Sequence, residues 1–573
     1  MSTYNSLDES LYSFERKNIS KNTIKHNKIS KWKERNNLND KEFVERLKAY
    51  GFNSEKEFNN ILKYGSNNYK SKNEIKGLID NFCRKENNYE FVTGLGEFLL
   101  PFLNYYNYKM NTILEKYNHT YLNKEYLLRN LTKTLYYYLK NISDKTIVLE
   151  FQMKLNETGK PLMKYFKENY LKTKNYHKYL LNKYPVLYRC IYEILEQDLN
   201  NTQQFLKRLS NDLKEIQSEF MEEQNLKLVN IIKGAGDKHN KGQSVIICDF
   251  EQNNRIIYKP RSLKIDTIFS HLTSLLNKND KIIYKLNDIK TISKEYYGWQ
   301  ENIQNKDCKN ENEVNQCYYR LGLLICLMHV FKTNDMHYEN IIISGKNPYI
   351  IDLETFITNN SLRTTDTSNP LVKVYNSIFK TGMLPTGKLL PSYIDNDISG
   401  LTSTPNQKSK SIKHWYTIDD DTDEVRFEHK EFVTSGENHL VKLQNRIMNP
   451  YVYLKYILNG FEDMYHCILE GKNEIITFLN SNLNDCYGRS IFRSTYIYGK
   501  FLTTSYHPNY LSNGVDREYL FELLWNKFKE DKKYKLVIKQ EIKSLLHNDI
   551  PYCSFNTTSR SLFINNIEIP NFF

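Results

Sequence analysis

Asp335-Met336-His337-Tyr338-Glu339-Asn340 and, a short way on, Ile351-Asp352-Leu353-Glu354 set out Asp335, Asn340 and Asp352 in the order that a phosphoryl-transfer loop needs. Such a loop needs a carboxylate beside the acceptor hydroxyl, then an amide oxygen and a second carboxylate for a divalent cation. The separation of Asp335 from Asn340 matches a kinase catalytic loop. Asp352 follows Ile350-Ile351 and so falls at the end of a predicted strand, a rigid place from which to hold a metal. Glu354 either tunes the site or binds a second ion. His337 either donates to phosphate or packs behind the loop. Turns are also rich in Asp and Asn, but an ordinary turn has no need of Asp352 after a β-run.

Upstream, Lys259 ends a predicted strand, where a flexible ammonium suits the phosphates of a nucleotide. Gly234, Gly236 and Gly242 surround Asp237, Lys238 and His239, and glycines let backbone amides approach an anion closely. The run is not the G-x-G-x-x-G of a strand-to-helix nucleotide site. Taken alone, Lys259-Pro260-Arg261 is equally a surface strand end. The order of glycine loop, lysine, Asp, Asn and Asp is the stronger signal.

Residues 245–250 and Arg255–Lys259 predict a β-hairpin turned at Asn253-Asn254. A helix is expected over 265–276 and a buried apolar helix over 318–332, running into Asp335. Ile341-Ile342-Ile343 and Tyr349-Ile350-Ile351 bracket a small hairpin. The first 225 residues read as mostly helical. Residues 184–220 carry Leu187, Ile191, Ile194, Leu195, Phe205, Leu209, Leu213 and Ile216 at helical spacing. Asp40 caps and Gly51 stops a charged helix over 41–50. Residues 360–435, broken by Pro370, Pro385, Pro391 and Pro405, predict an irregular functional loop region. Beyond Pro450 the texture is helical again. The expectation is an α+β chain in three parts: 1–225, 226–334 and 335–573.

Aromatic residues make up 14% of the 573 residues, which excludes a disordered chain. A net charge of +13 steers anionic partners without choosing among nucleotides, acidic peptides, nucleic acids and anionic lipids. The nine Cys form no CxxC pair, which argues against a structural zinc site and fits a reducing cytoplasm. The first 31 residues have no apolar core, and the longest apolar run, 321–330, is too short to insert stably in a bilayer. No nucleic-acid recognition module accompanies the charge, so no nucleic-acid partner is expected.

Gly236-Asp237-Lys238-His239 with Gly242, Tyr258-Lys259-Pro260-Arg261, Tyr297-Gly298-Trp299, the 335–340 loop and 351–355 together resemble the dehydratase part of class II lanthipeptide synthetases. That resemblance implies a lipid-kinase-like, two-lobed catalytic core elaborated by extra helices. It implies ATP- and magnesium-dependent phosphorylation of Ser and Thr in a precursor peptide bearing a leader sequence, followed by phosphate elimination to dehydroalanine and dehydrobutyrine. By the same match Lys259 contacts ATP phosphates, and Asp237 and His239 belong to the phosphate-handling loop. Asp335, His337 and Asn340 form the kinase centre, with Asn340, Asp352 and Glu354 on the metal. Arg489-Ser490-Ile491-Phe492-Arg493-Ser494-Thr495 is similar to the elimination segment, which implicates Arg489 and Thr495, with Arg493 close by. The family's zinc-binding cyclase residues have no counterpart, so a separate cyclase, dehydration as the last step and a longer parent chain all fit. A kinase without elimination and a non-catalytic precursor-binding scaffold are the competing readings.

Overall fold

Helices dominate the chain before residue 225 because its apolar side chains recur every three or four residues and must be buried along one stripe. In the helix Pro185–Phe220 that stripe includes Leu187, Ile191, Ile194, Phe205, Leu209 and Ile216, all buried. Pro185 sits in the first turn, where no amide bond is lost. The computed structural model describes residues 5–16, 29–35, 38–64, 69–83, 89–158, 162–223, 225–358, 370–387, 396–434, 436–527 and 534–573. The early helix Asp40–Tyr50 is capped by Asn39 and not by Asp40. Asn39 and Glu42 exchange side-chain-to-amide bonds of 2.9 Å in a reciprocal capping box, and Gly51 ends the helix with φ 91°.

The chain is α+β. Its largest sheet is antiparallel and runs β1 (Leu228–Lys233), β2 (Ile246–Phe250), β3 (Arg255–Lys259), β5 (Gly298–Glu301), β4 (Thr291–Ser293) in spatial order. In this register Ile246 faces Tyr258 and Lys259 faces Gly298. The β2–β3 turn falls one residue earlier than expected, with Gln252 and Asn253 at φ 57° and 60°. β1 had no expectation attached. It makes the glycine loop a link between two paired strands.

The helix expected over 318–332 starts earlier and spans Glu311–Val330. Asn310 caps it by accepting the Glu313 amide at 3.0 Å, and the polar first turn hid its start from the apolar pattern. It crosses the helix Leu454–Glu470 at two glycines. A Cβ on Gly322 would fall 2.0 Å from the Ile457 carbonyl oxygen, and one on Gly460 2.0 Å from that of Tyr319. The helix leads into the small hairpin β6 (Ile341–Ser344) and β7 (Asn347–Ile350), turned by Gly345 at φ 59°.

Two regions depart from expectation. Within 360–435 the described residues include a long hairpin, β8 (Lys408–Ile418) and β9 (Arg426–Val433). Its second strand is largely exposed, so no two-residue alternation of buried and exposed side chains announced it. Residues 359–369 and 388–395, with Pro391, lie outside the described residues. The hairpin tip docks on the early helices: the Leu95 amide donates to the Asp420 carbonyl at 3.0 Å, Lys140 pairs with Asp420 at 3.0 Å and Lys167 with Asp421 at 2.7 Å. The second departure is a four-stranded antiparallel sheet of Tyr487–Arg489, Cys553–Asn556, Leu562–Ile564 and Ile567–Ile569, in a region read as helical. Arg517 ties this end of the chain to its start. Its buried guanidinium donates to Tyr12 Oη, Leu546 O and Asn548 Oδ1 at 2.8–3.0 Å. Among the described residues no helix is long and apolar enough to cross a membrane.

Candidate active site

The catalytic-type loop is held in an unusual backbone shape. Asp335 takes φ 66°, a left-handed conformation uncommon outside glycine but open to Asp and Asn. Asn340 holds it from one side, its Nδ2 donating to the Asp335 carbonyl at 2.8 Å. From the other side the Met336 amide donates to Thr381 O at 2.8 Å and the Tyr338 amide to Ile398 O at 3.1 Å. Gly400 allows the close approach there, since a Cβ on it would meet the Met336 carbonyl at 2.8 Å. The described parts of the irregular region therefore buttress the loop.

Asp335, His337, Asn340, Asp352 and Glu354 line one cavity of about 1890 Å³, together with Asp237, His239, Lys259, Arg489, Arg493 and Thr495. A pocket for one small ligand is about 300–1,000 Å³, so this one has room for a nucleotide and part of a second substrate. Lys259, at the end of β3, donates through Nζ to the Ile351 carbonyl, directly before Asp352. Its Nζ also lies 3.9 Å from Asp266. Burial pulls the Lys259 ammonium below its ordinary pKa, against the opposing charges of Asp266, Asp352 and Glu354. His337 Nδ1 accepts the Glu339 amide at 3.2 Å, which turns Nε2 toward Asp335 at 3.8 Å. Enclosure by the cavity walls lifts the Asp335 carboxyl above the ordinary range.

Arg261 organises the acidic end of the cavity. Its guanidinium reaches Asp266 at 2.8 Å, Asp352 at 3.0 Å and Glu354 at 2.8 Å. Burial works against the charge on Asp352, but Arg261, Lys259 and Arg489 outweigh it and hold the carboxyl below its usual range. Glu354 goes the other way, raised by burial and by the charge of Asp352. Arg261 was quoted in the sequence pattern without a role.

The second cationic group is Arg489. NH1 pairs with Glu354 at 3.1 Å, NH2 donates to His239 Nε2 at 3.2 Å, and the guanidinium lies 5.5 Å from the centre of the Tyr552 ring. His239 Nδ1 donates to the Ile550 carbonyl at 3.1 Å, so its Nε2 carries the lone pair that Arg489 needs. Burial and then the Arg489 charge lower the His239 pKa to about 4. Thr495 opens the helix Thr495–Ser505, and Ser494 and Ile497 beside it also line the cavity. A helix N-terminus there favours an anion. Arg493 lines the same cavity, but its Nε bonds buried Glu541 at 3.1 Å and its NH2 the Leu524 carbonyl at 2.6 Å. Its guanidinium thus holds the wall together.

The oxygens of Asn340, Asp352 and Glu354 are the hard donors that magnesium takes alongside water and phosphate oxygens. With Asn340 Nδ2 engaged, its Oδ1 is left for a cation, and Arg261 already shows that the two carboxylates accept a positive charge between them. Among the described residues no three His, Cys, Asp or Glu side chains cluster as a metal site.

Residues 184–556, well over half the chain, match the family described as a domain of unknown function, DUF4135. The chain belongs to that family. The DUF4135 match covers every cavity residue named above. A curated relative, the "lacticin 481/lactococcin biosynthesis protein LcnDR2" of Lactococcus lactis subsp. lactis, is 28% identical over 455 residues, covering 75% of this chain. The chain in turn spans 47% of that relative, about half its length.

Proposed function

We propose that the chain takes part in lanthipeptide maturation as an ATP- and magnesium-dependent dehydratase of Ser and Thr in a precursor peptide. The likeness to the lacticin 481 biosynthesis protein supports the pathway. The observation that carries the chemistry is the one cavity shared by the Lys259, Asp335, Asn340 and Asp352 set and the Arg489 and Thr495 set. On this reading the core is lipid-kinase-like, with the first 225 residues as leader-binding region, 226–334 as first lobe and linking helices, and 335–573 as second lobe with the elimination region.

Asn340, Asp352 and Glu354 would hold magnesium, which would neutralise charge on the nucleotide phosphates. Lys259 grips those phosphates as a point charge. Asp335 accepts the proton of the substrate hydroxyl as its oxygen attacks the γ-phosphorus, and ADP leaves with the electron pair of the broken P–O bond. Elimination then breaks the Cβ–O bond. A base takes the α-proton, the C–H electrons form the Cα=Cβ double bond, and phosphate departs with the Cβ–O pair. Arg489, oriented by His239 and Glu354, and the helix start at Thr495 hold the departing charge.

The test is incubation of the chain with ATP, magnesium and a candidate Ser/Thr/Cys-rich precursor peptide carrying its leader, followed by peptide mass measurement. Loss of water at Ser or Thr is the expected result. A stable phosphopeptide without water loss leaves a kinase and ends the dehydratase reading. No modification and no nucleotide binding leaves a binding scaffold. A separate cyclase is the partner proposed for later ring closure.

A further inference from the structure

Between residues 239 and 243 the chain reverses so tightly that His239 and Gln243 exchange both backbone hydrogen bonds, at 2.8 and 2.7 Å. The three residues between them, Asn240, Lys241 and Gly242, all take left-handed backbone, with φ 49°, 68° and 77°. Turns of this kind gather successive N–H groups into a concavity that binds an anion. In this chain the anion is internal. Asp549 Oδ2 accepts the Lys241 amide at 2.6 Å and Oδ1 accepts the Gly242 amide at 3.1 Å.

Asp549 is 3% exposed, and no lysine or arginine pairs with it among the described residues. A buried carboxylate is costly unless donors satisfy it, and here the donors are the two turn amides and the amide of Ile550. The neighbouring residue completes the clamp, because the Ile550 carbonyl takes the His239 Nδ1 proton at 3.1 Å. One short segment therefore fixes both the turn and the ring that projects from it. The ring in turn offers Nε2 to Arg489. The glycine loop accordingly divides in two: the Lys241 and Gly242 amides are committed to Asp549, and a bound phosphate has the Gly236 side of the loop to meet.

We propose that Asp549 is a positioning residue for phosphate elimination, acting through His239 and Arg489. The inference rests on the dehydratase reading above. Loss of the clamp loosens the turn and lets the His239 ring leave Arg489, while Lys259, Asp335 and Asn340 keep their own supports. Elimination then slows and phosphorylation continues.

The experiment uses the full chain with Asp549→Ala and Asp549→Asn. The second keeps the volume but turns an N–H₂ toward a backbone N–H, and it carries the test should the first fail to fold. Hydrogen exchange without ligand reads the turn directly. The expected result is at least about tenfold faster exchange at Lys241 and Gly242 in both variants, with the helices unchanged. In the precursor assay the expected result is a fall of about 10- to 100-fold in elimination, with phosphopeptide accumulating. Unchanged exchange, or phosphorylation and elimination falling in equal proportion, overturns the proposal. If the wild-type chain yields neither phosphopeptide nor dehydrated peptide, the dehydratase reading has failed, and the exchange result alone decides whether Asp549 holds the turn.

Discussion

Replacing Gly322 by Ala tests whether the crossing of Glu311–Val330 over Leu454–Glu470 sets the position of the catalytic loop. The added Cβ would lie 2.0 Å from the Ile457 carbonyl oxygen. A carbon and a carbonyl oxygen in contact rest about 3.3 Å apart, so the helices must open by roughly 1.3 Å at this point. The obstacle is backbone and cannot rotate away. Overpacking of this kind costs about 1–3 kcal/mol. The helix ends at Val330, just before Asp335, and misplacement of a reacting group by about 1 Å costs on the order of 100-fold in rate. Gly322→Ala is therefore expected to lower the denaturant midpoint and to slow peptide phosphorylation together. Gly460→Ala meets the mirror-image obstacle at Tyr319 and should match it. The double variant should cost less than the sum, because one opening relieves both clashes. Gly499→Ala is the control: a helical glycine with nothing within 4 Å, expected to stabilise by about 0.5–1 kcal/mol. Wild-type midpoint and wild-type rate in Gly322→Ala would refute the reasoning.

Asp335→Ala should abolish phosphorylation, by about 100-fold or more; mass spectra showing an unchanged rate would remove Asp335 from the chemistry. Arg489→Ala should slow elimination and leave phosphopeptide behind, and equal dehydration by the variant would end its assigned role. The pH prediction follows from His239, whose folded pKa of about 4 lies below its unfolded value of about 6.5. Between those values the unfolded chain binds a proton that the folded one does not, so stability contributed above pH about 6.5 is lost as pH falls toward 4. His239→Gln should flatten that part of a stability-versus-pH curve; identical curves would count against the buried Nε2–Arg489 contact.

The sequence was most legible where one physical constraint dominates a stretch. The helical stripe of 184–220 and the β2–β3 hairpin follow from burial on one face. The residues expected from the sequence as an ordered set line one cavity in the fold. Other features left no local trace. β9 is largely exposed and carries no alternation of buried side chains. The C-terminal sheet pairs Tyr487–Arg489 with Cys553–Asn556, far apart in the chain, through strands of only three or four residues. Arg261 and Arg493 both sit in basic motifs. Only the fold distinguishes the one that bridges two cavity carboxylates from the one bound to buried Glu541.

The β8–β9 hairpin joins distant parts of the molecule. Eleven residues of β8 at about 3.4 Å each give it a reach of roughly 37 Å. Its base is stitched between Gln407 and Thr434, next to Gly436, whose missing side chain lets Tyr338 of the catalytic loop press against the backbone. Its far end is fastened by Asp420 and Asp421 to the early helices. A hairpin fastened at both ends puts the early helices and the loop bearing Asp335 in one continuous chain of contacts.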